Sequence, residues 1–434
     1  MRASKYNFWS ETPEGQTLLF NGRTGALVQV DDPAEDELIH DALSGDQNRL
    51  VPELDRLGIL WEGDEAAEVE AVLARRGNAG STSQVLEMTI SPTYGCNFRC
   101  TYCYVQFDDR RMSDNAEAAT LAYLKHTIPR HPRTDVTWFG GEPLLAWRQV
   151  ARMASAIREI GEQSGRYVEQ FLTTNGFLLS PEVAKALVGA GIRWVHVTID
   201  GCGEGQDTRR VLRNGVGTYK RVLHNLIQTL EDHASVGATL RMNLEPDSVT
   251  LAKPLLESIP AELRVRIQVH PTPVILDGVT RDNQFLEDVA GVVTAAMRLG
   301  YAYYDNDIPV RRHFHCGAEG SHNFQIGPDG ALHKCSPSDK PEVTVGRIDA
   351  EGNPTFNSNE RTWTDAHSLP PLCSACSYLC FCQGGCRLDR IRQQHDPRCR
   401  DQYVAMRQHV QNRWLANSLG RGRDGNYDLA PAEG

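Results

Sequence analysis

The chain has 434 residues, 40% of them hydrophobic, with a formal charge of −11 and 12 cysteines. That length suffices for a domain of barrel size plus one or two smaller ones, and the acidic balance argues against a general nucleic-acid binder. No apolar run of about 18 residues and no secretory h-region is present, so neither a membrane partner nor export is expected; in the cytoplasm, the expected location, reduced thiols point to metal ligation rather than disulfides.

Residues 1–76 read as a separate module. Leu18–Phe20 and Ala26–Val30 flank the turn signal Asn21-Gly22, the pattern of a β-hairpin or short meander. A helix follows, with Asp32 as cap, Pro33 in the first position and Glu35 where a capping-box partner belongs; Leu38, Ile39, Ala42 and Leu43 form its apolar face and Gly45 ends it. Leu50, Leu54 and Leu57 mark a second apolar face, Ile59–Trp61 a short strand, and Glu65–Arg75 a third helix. Residues 77–84, rich in Gly, Ser, Thr and Asn, read as a linker.

From 85 to 305 strand and helix alternate about six times. Strands are expected at Leu86–Ile90, Val136–Phe139, Glu169–Thr173, Trp194–Ile199, Thr239–Asn243 and Val265–Val269. Helices are expected at Ala116–Thr127, Trp147–Glu162, Pro181–Ala190, Tyr219–Asp232 and Leu251–Ser258. Such alternation predicts an α/β fold with a parallel sheet, an open or partial (β/α)6 TIM-like barrel, and places chemistry at the carboxyl ends of the strands.

The motifs fall at those ends. After the first strand comes C-N-F-R-C-T-Y-C, with Cys96, Cys100 and Cys103 on one short loop; three thiolates hold three irons of a [4Fe–4S] cube and leave the fourth open to a small chelating molecule. A zinc knuckle is the bland alternative, and it usually recruits a fourth nearby Cys or His. Gly140-Gly141-Glu142-Pro143 follows the second strand, and Thr174 and Asn175 end the third, where they can hydrogen-bond a ribose or carboxylate. Arg241 and Asn243, two apart on a strand, share a face and serve either a ligand or the structure.

Residues 306–416 hold Cys316, Cys335, Cys373, Cys376, Cys382, Cys386 and Cys399, with Cys380 left over inside the array. Residues 417–434 read as a disordered tail, since Gly420–Gly434 is Gly-rich and polar.

The C-x3-C-x2-C loop followed by G-G-E-P resembles the signature of the radical S-adenosylmethionine (SAM) enzymes, and the seven-cysteine layout resembles their C-terminal SPASM extension. The resemblance implies that the open iron binds SAM, that Gly140, Gly141, Glu142 and Pro143 meet its amino group, and that Thr174, Asn175, Arg241 and Asn243 are candidate SAM or substrate contacts. It further implies two auxiliary [4Fe–4S] clusters, three in all: Cys373, Cys376, Cys382 and Cys399 around one, and Cys316, Cys335 and Cys386 around the other. Either Cys380 closes that second site or its iron stays open. The run Asp207-x2-Arg210-x4-Gly215-x-Gly217-Thr218-Tyr219 matches a segment of peptide-modifying members, with Gln206 where a histidine is usual. Strands followed by three helices at the front resemble, by element order, a winged-helix-like peptide-recognition module; the alternative is a small domain that only packs on the barrel.

The function implied is a maturase that abstracts a hydrogen from a ribosomally made precursor peptide and installs a carbon–carbon or thioether cross-link, reduced by a flavodoxin- or ferredoxin-type donor. A sulfatase-type maturase forming formylglycine is the runner-up, disfavoured because that group generally begins with the barrel. An iron–sulfur electron carrier is the non-enzymatic alternative, and it would leave G-G-E-P and Thr174-Asn175-Gly176 without a role.

Overall fold

Alternation of apolar and polar residues along six segments decides the architecture. Leu86, Met88 and Ile90 are buried on one side of the first strand, as are Val136 and Trp138 on the second and Leu240 and Met242 on the fifth. Fully burying each such side chain contributes about 1.5–3 kcal/mol. The intervening residues, among them Thr137, Thr173, His196, Thr198, Arg241 and Asn243, share the opposite face. A parallel sheet covered on both faces reads as continuous apolar runs. Here the second face is polar, and it is where the candidate site residues of the fifth strand lie.

The computed structural model describes residues 1–434 except 13, 31, 83–84, 104, 106–107, 275–282, 304–316, 321, 337–340, 366–368, 370, 383, 393–400 and 420–434. It forms two compact units: Ser83–Ala302 with Gly317–Asp365, and Met1–Thr82 with Tyr303–Cys316 and Ala366–Gly434.

In the first of these, strands Val85–Ile90, Arg133–Trp138, Tyr167–Thr174, Ile192–Thr198, Gly237–Leu244 and Ile267–Pro273 pair in parallel and in chain order. Helices Asp114–Thr127, Trp147–Ser164, Pro181–Gly189, Tyr219–Asp232 and Ala252–Ser258 intervene. Their starts are marked as expected of crossover helices: the Ser113 hydroxyl accepts from Ala116 N–H, and the Ser180 hydroxyl from Val183 N–H. The last strand begins at Ile267 instead of Val265, which is 66% exposed and follows a single helical turn, Ala261–Arg264. The sheet then continues past its first strand. Phe324–Ile326 pairs in parallel with Val85–Ile90, and Ala331–His333, Thr344–Ile348 and Pro354–Phe356 follow antiparallel, making ten strands. At one end of this sheet Pro271 and Pro273 face Met242 and Leu244; at the other, Pro354 faces Ile348.

In the second unit, Asn7–Glu11, Thr17–Asn21 and Leu27–Val30 form an antiparallel meander, followed by helices Pro33–Ser44, Val51–Arg56 and Glu65–Thr82. Asp32 caps the first helix by accepting from Ala34 N–H, with Pro33 in its first turn, and Gly45 ends it at φ +106°. The turn after Asn21 is longer than the two-residue turn Asn21-Gly22 predicts: Asn21 N–H reaches Ala26 carbonyl at 2.9 Å, and the left-handed residue is Gly25, φ +76°. Leu60–Trp61 pairs with Arg2–Ala3. The third helix runs on to Thr82, through most of the expected linker, because Val69 and Val72 anchor it in a core that favours continuing the helix.

That core is not the module's own. Tyr6, Phe8, Leu18 and Phe20 pack with Leu379, Cys380, Phe381, Met406 and Val410. Helix Asp401–Ser418 supplies the last two, and its Gln411 and Trp414 side chains donate to Glu11 carbonyl at 2.8 Å and Gln29 Oε1 at 2.6 Å. The stretch expected as one auxiliary domain, 306–416, is therefore divided, with Gly317–Asp365 extending the large sheet and Ala366 onward joining the N-terminal module. The expected tail beyond 419 lies outside the described residues.

Candidate functional site

The three-cysteine loop leaves the first strand at Ser91 and is fastened from three sides. Thr93 Oγ1 accepts from Gly95 N–H at 3.0 Å and donates to Arg110 carbonyl at 2.7 Å, closing the base of the loop. Within it Phe98–Cys100 forms a short antiparallel ribbon with Arg210–Leu212, so a segment beyond the fourth strand holds it from above. The Arg213 guanidinium donates to Cys96 carbonyl at 2.7 Å and to Asp109 at 2.6 Å.

The third fastening is Gly140-Gly141. Gly141 N–H donates to Thr93 carbonyl at 3.1 Å, and Glu142 N–H to Gly95 carbonyl at 2.8 Å. A Cβ on Gly140 would run into Thr93 carbonyl, and one on Gly141 into the carbonyls of Tyr94 and Gly95. The glycines are needed, first of all, because backbone of the cysteine loop lies against them. The Glu142 carboxylate is buried and accepts from Leu144 N–H at 3.0 Å, Thr174 Oγ1 at 2.7 Å and Asn175 N–H at 2.7 Å. Burial pushes its pKa up against these donors. Pro143 opens the turn that follows.

Glu142 thus joins the ends of the second and third strands. Asn175, buried, points Nδ2 at Asn97 Oδ1, 2.8 Å away, with Cys96 Sγ at 3.9 Å. At the other side of the loop Tyr102 OH donates to buried Asp200 and accepts from Arg210 at 2.6 Å and Asn243 Nδ2 at 3.1 Å. Arg241 Nε donates to Asn243 Oδ1 at 3.1 Å, so these two predicted residues are brought together. Arg210 is itself buried, lies 3.9 Å from Asp200, and keeps its Nε without a partner among the described residues. Gln206, where a histidine is usual in the resembling segment, is wholly buried and accepts from Asp200 N–H at 2.9 Å, an inert supporting role. Asp207 caps the helix after it, accepting from Thr218 and Tyr219 N–H.

These contacts make the loop a site for charge that needs a positive partner. Burial pushes Cys96 up to about 12 and raises Cys100, whereas the Arg210 cation works the other way on Cys100. Three thiols on one loop, two of them in surroundings that penalise a bare thiolate, fit an iron–sulfur cluster. Among the described residues no three His, Cys, Asp or Glu side chains are gathered for a single metal ion. In a cube each thiolate meets a different iron, so the three sulfurs need a wider spacing than a single ion would ask for.

Of the C-terminal cysteines, Cys335 lies two residues beyond strand Ala331–His333. In the other unit Cys376 N–H donates to Cys373 carbonyl at 3.1 Å, Cys382 N–H to Tyr378 carbonyl at 2.7 Å, and Cys386 precedes helix Arg387–Ile391. Cys380 is buried in the apolar core, and Gly22 packs so closely that a Cβ there would stand 2.6 Å from its sulfur. Cys316 and Cys399 lie outside the described residues. Sequence reasoning missed Arg213, Asp109 and the ribbon pairing of 98–100 with 210–212; a three-residue ribbon carries no periodicity to find it by.

Residues 90–232 match the Radical SAM superfamily. The chain is 23% identical over 324 residues to the serine-type anaerobic sulfatase-maturating enzyme of Klebsiella aerogenes, covering 70% of this chain and 79% of that protein. It is 32% identical over 158 residues to the GTP 3',8-cyclase of Helicobacter pylori, covering 36% of this chain and 44% of that protein. Among solved structures, native anSMEcpe with bound AdoMet superposes with a TM-score of 0.62 at 16% identity over 77% of this chain and 100% of that one. Streptococcus suis SuiB bound to precursor peptide SuiA does so with a TM-score of 0.50 at 14% identity over 92% of this chain and 99% of that one. At those identities the likeness is one of fold. Together with the cysteine loop and the glycine turn that locks it, these matches identify residues 90–232 as a radical SAM domain.

Proposed function

We propose that the protein is a radical SAM peptide maturase that installs an intramolecular carbon–carbon or thioether cross-link in a ribosomally made precursor peptide. The observation that carries this reading is the meander-and-three-helix module sharing one core with the cysteine array. A winged-helix-like module built into a SPASM extension suits an enzyme that holds a peptide by its leader while its core segment is oxidised. We read the six parallel strands as a partial barrel whose polar face receives the substrate.

In this reading Cys96, Cys100 and Cys103 would hold a [4Fe–4S] cluster, which would supply the electron for reductive cleavage of SAM. Arg241, Asn243 and Asn175 stand at the strand ends where SAM and substrate meet. Thr174 is spent on Glu142, and both support the turn. Cys373, Cys376, Cys382 and Cys399 hold one auxiliary cluster, while Cys316, Cys335 and Cys386 belong to another; Cys380 belongs to the packing. Cross-linking removes two hydrogens from the peptide: one would leave as the atom captured in 5'-deoxyadenosine, the other as a proton, with its electron left for an auxiliary cluster to accept. A flavodoxin- or ferredoxin-type protein supplies the electron for SAM cleavage. The leader joins the meander as an added strand at Leu27–Val30, a half-buried edge; at the opposite edge Gln411 of the C-terminal helix already binds Glu11 carbonyl.

The second reading, a sulfatase-type maturase, is favoured by the Klebsiella aerogenes relative. One experiment separates them. The anaerobically reconstituted full chain is given SAM, reductant and the peptide encoded beside its gene. Production of 5'-deoxyadenosine and a peptide short of two hydrogens that does not react with a hydrazide supports cross-linking. A hydrazide-reactive product supports formylglycine, and no SAM cleavage sinks both.

A further inference from the structure

Tyr6, in the N-terminal module, is fully buried in the core shared with the cysteine array, and its hydroxyl has no hydrogen-bond partner among the described residues. An orphaned buried hydroxyl has given up its hydration without gaining a partner, which is unfavourable. Its ring lies in the core that holds Cys380, and Cys373 packs against that same core. Neighbouring module residues are fitted to the same cysteines. Lys5 Nζ donates to Ser374 carbonyl, 2.9 Å away, inside the turn between Cys373 and Cys376. The Phe8 ring stacks on Tyr378 with centroids 5.2 Å apart, and Gly22 lies against the Cys380 sulfur.

We propose that the N-terminal module is a wall of the auxiliary cluster site of Cys373, Cys376 and Cys382, and that Tyr6 is the hydrogen-bond donor it contributes to that cluster's sulfur. This rests on the assignment of those cysteines to a cluster. Tyr6 is a positioning residue in this account: it touches neither SAM nor substrate. A donor to a cluster sulfur offsets the extra negative charge of the reduced state, and so raises the reduction potential. The module therefore sets how readily the cluster takes the electron that the oxidised peptide releases, besides whatever it binds.

The test is a redox titration of the reconstituted full chain, followed by EPR, for the wild type and Tyr6→Phe. The phenylalanine keeps the ring and removes only the donor. Expected are unchanged iron and sulfide, a lower midpoint potential for one auxiliary signal, and an unmoved signal from the Cys96, Cys100 and Cys103 cluster. Equal potentials in fully loaded proteins overturn the inference but leave the cluster assignment standing. About four irons per chain, enough for one cluster only, overturns both. If Tyr6→Phe does not load its auxiliary cluster, a fluorinated tyrosine at position 6, a stronger donor on the same ring, takes its place: a raised potential supports the inference and an unchanged one overturns it.

Discussion

Arg210 lies directly opposite Cys100 in the antiparallel ribbon, and its guanidinium reaches past it to Tyr102 OH at 2.6 Å and Asp200 at 3.9 Å. One buried cation thus serves the backbone of the second cysteine, the aromatic before the third, and a carboxylate beyond the fourth strand. Arg210→Ala leaves Asp200 buried without its cation, a loss of about 3–5 kcal/mol. Urea denaturation will show it. Adding Asp200→Asn to that variant is expected to restore part of the stability without restoring SAM cleavage, because the Tyr102 contact stays lost.

Gly141→Ala forces a methyl into the carbonyls of Tyr94 and Gly95. Overpacking of this kind costs about 1–3 kcal/mol, and here the part that gives way is the cysteine loop. The variant is expected to fold, by circular dichroism, but to take up less iron on reconstitution than the wild type. Gly165→Ala meets no neighbour within 4 Å but is strained by its left-handed backbone, so it is expected to lose stability while loading iron normally.

His196 sits on the polar face of the sheet, in register between Thr173 and Thr239, and burial, with His270 and Arg241 nearby, pushes it down to about 4. The fold therefore holds it neutral, and the unfolded chain binds the extra proton. Its stabilisation is complete above about pH 6.5 and is lost as the pH falls toward 4, about 3 kcal/mol in all. His196→Gln is expected to flatten that acid limb in denaturation midpoints measured between those limits, while the wild type steepens through it.

Removing residues 1–82 strips Tyr6, Phe8, Leu18 and Phe20 from Leu379, Phe381, Met406 and Val410. The truncated chain is expected to aggregate or to lose its C-terminal cluster, so it cannot report on leader binding. Leader recognition is better probed in the full chain by Leu27→Pro, at the start of the outer strand of the meander, where the N–H points away from the neighbouring strand. That variant is expected to raise the KM for the precursor peptide with little change in SAM cleavage.

The strands and crossover helices of the large sheet were legible because period-two and period-3.6 patterns are local, and helix Tyr219–Asp232 begins and ends where its pattern does. Cys96, Cys100, Cys103 and Gly140-Gly141 were legible because their spacing is itself the chemistry. What joins Arg210 to Tyr102 was not, since the partners lie 108 positions apart and a single contact leaves no periodic trace. The run Gly77–Thr82 read as a linker on composition, yet packing at Val69 and Val72 overrode propensity. The union of Tyr6 with Cys380 was hidden for the same reason as Arg210 with Tyr102: cores assemble residues that sequence keeps far apart.

The prolines at the two ends of the ten-stranded sheet bear on how the chain survives before its cofactors arrive. Parallel sheets assemble slowly, and an unfinished edge invites pairing with another copy. Pro271 and Pro273 at one end and Pro354 at the other have no N–H to offer a newcomer. Newly made protein awaiting iron and sulfide is thereby shielded from edge-to-edge aggregation, and replacing Pro271 and Pro273 with Thr should show itself first as lost soluble yield.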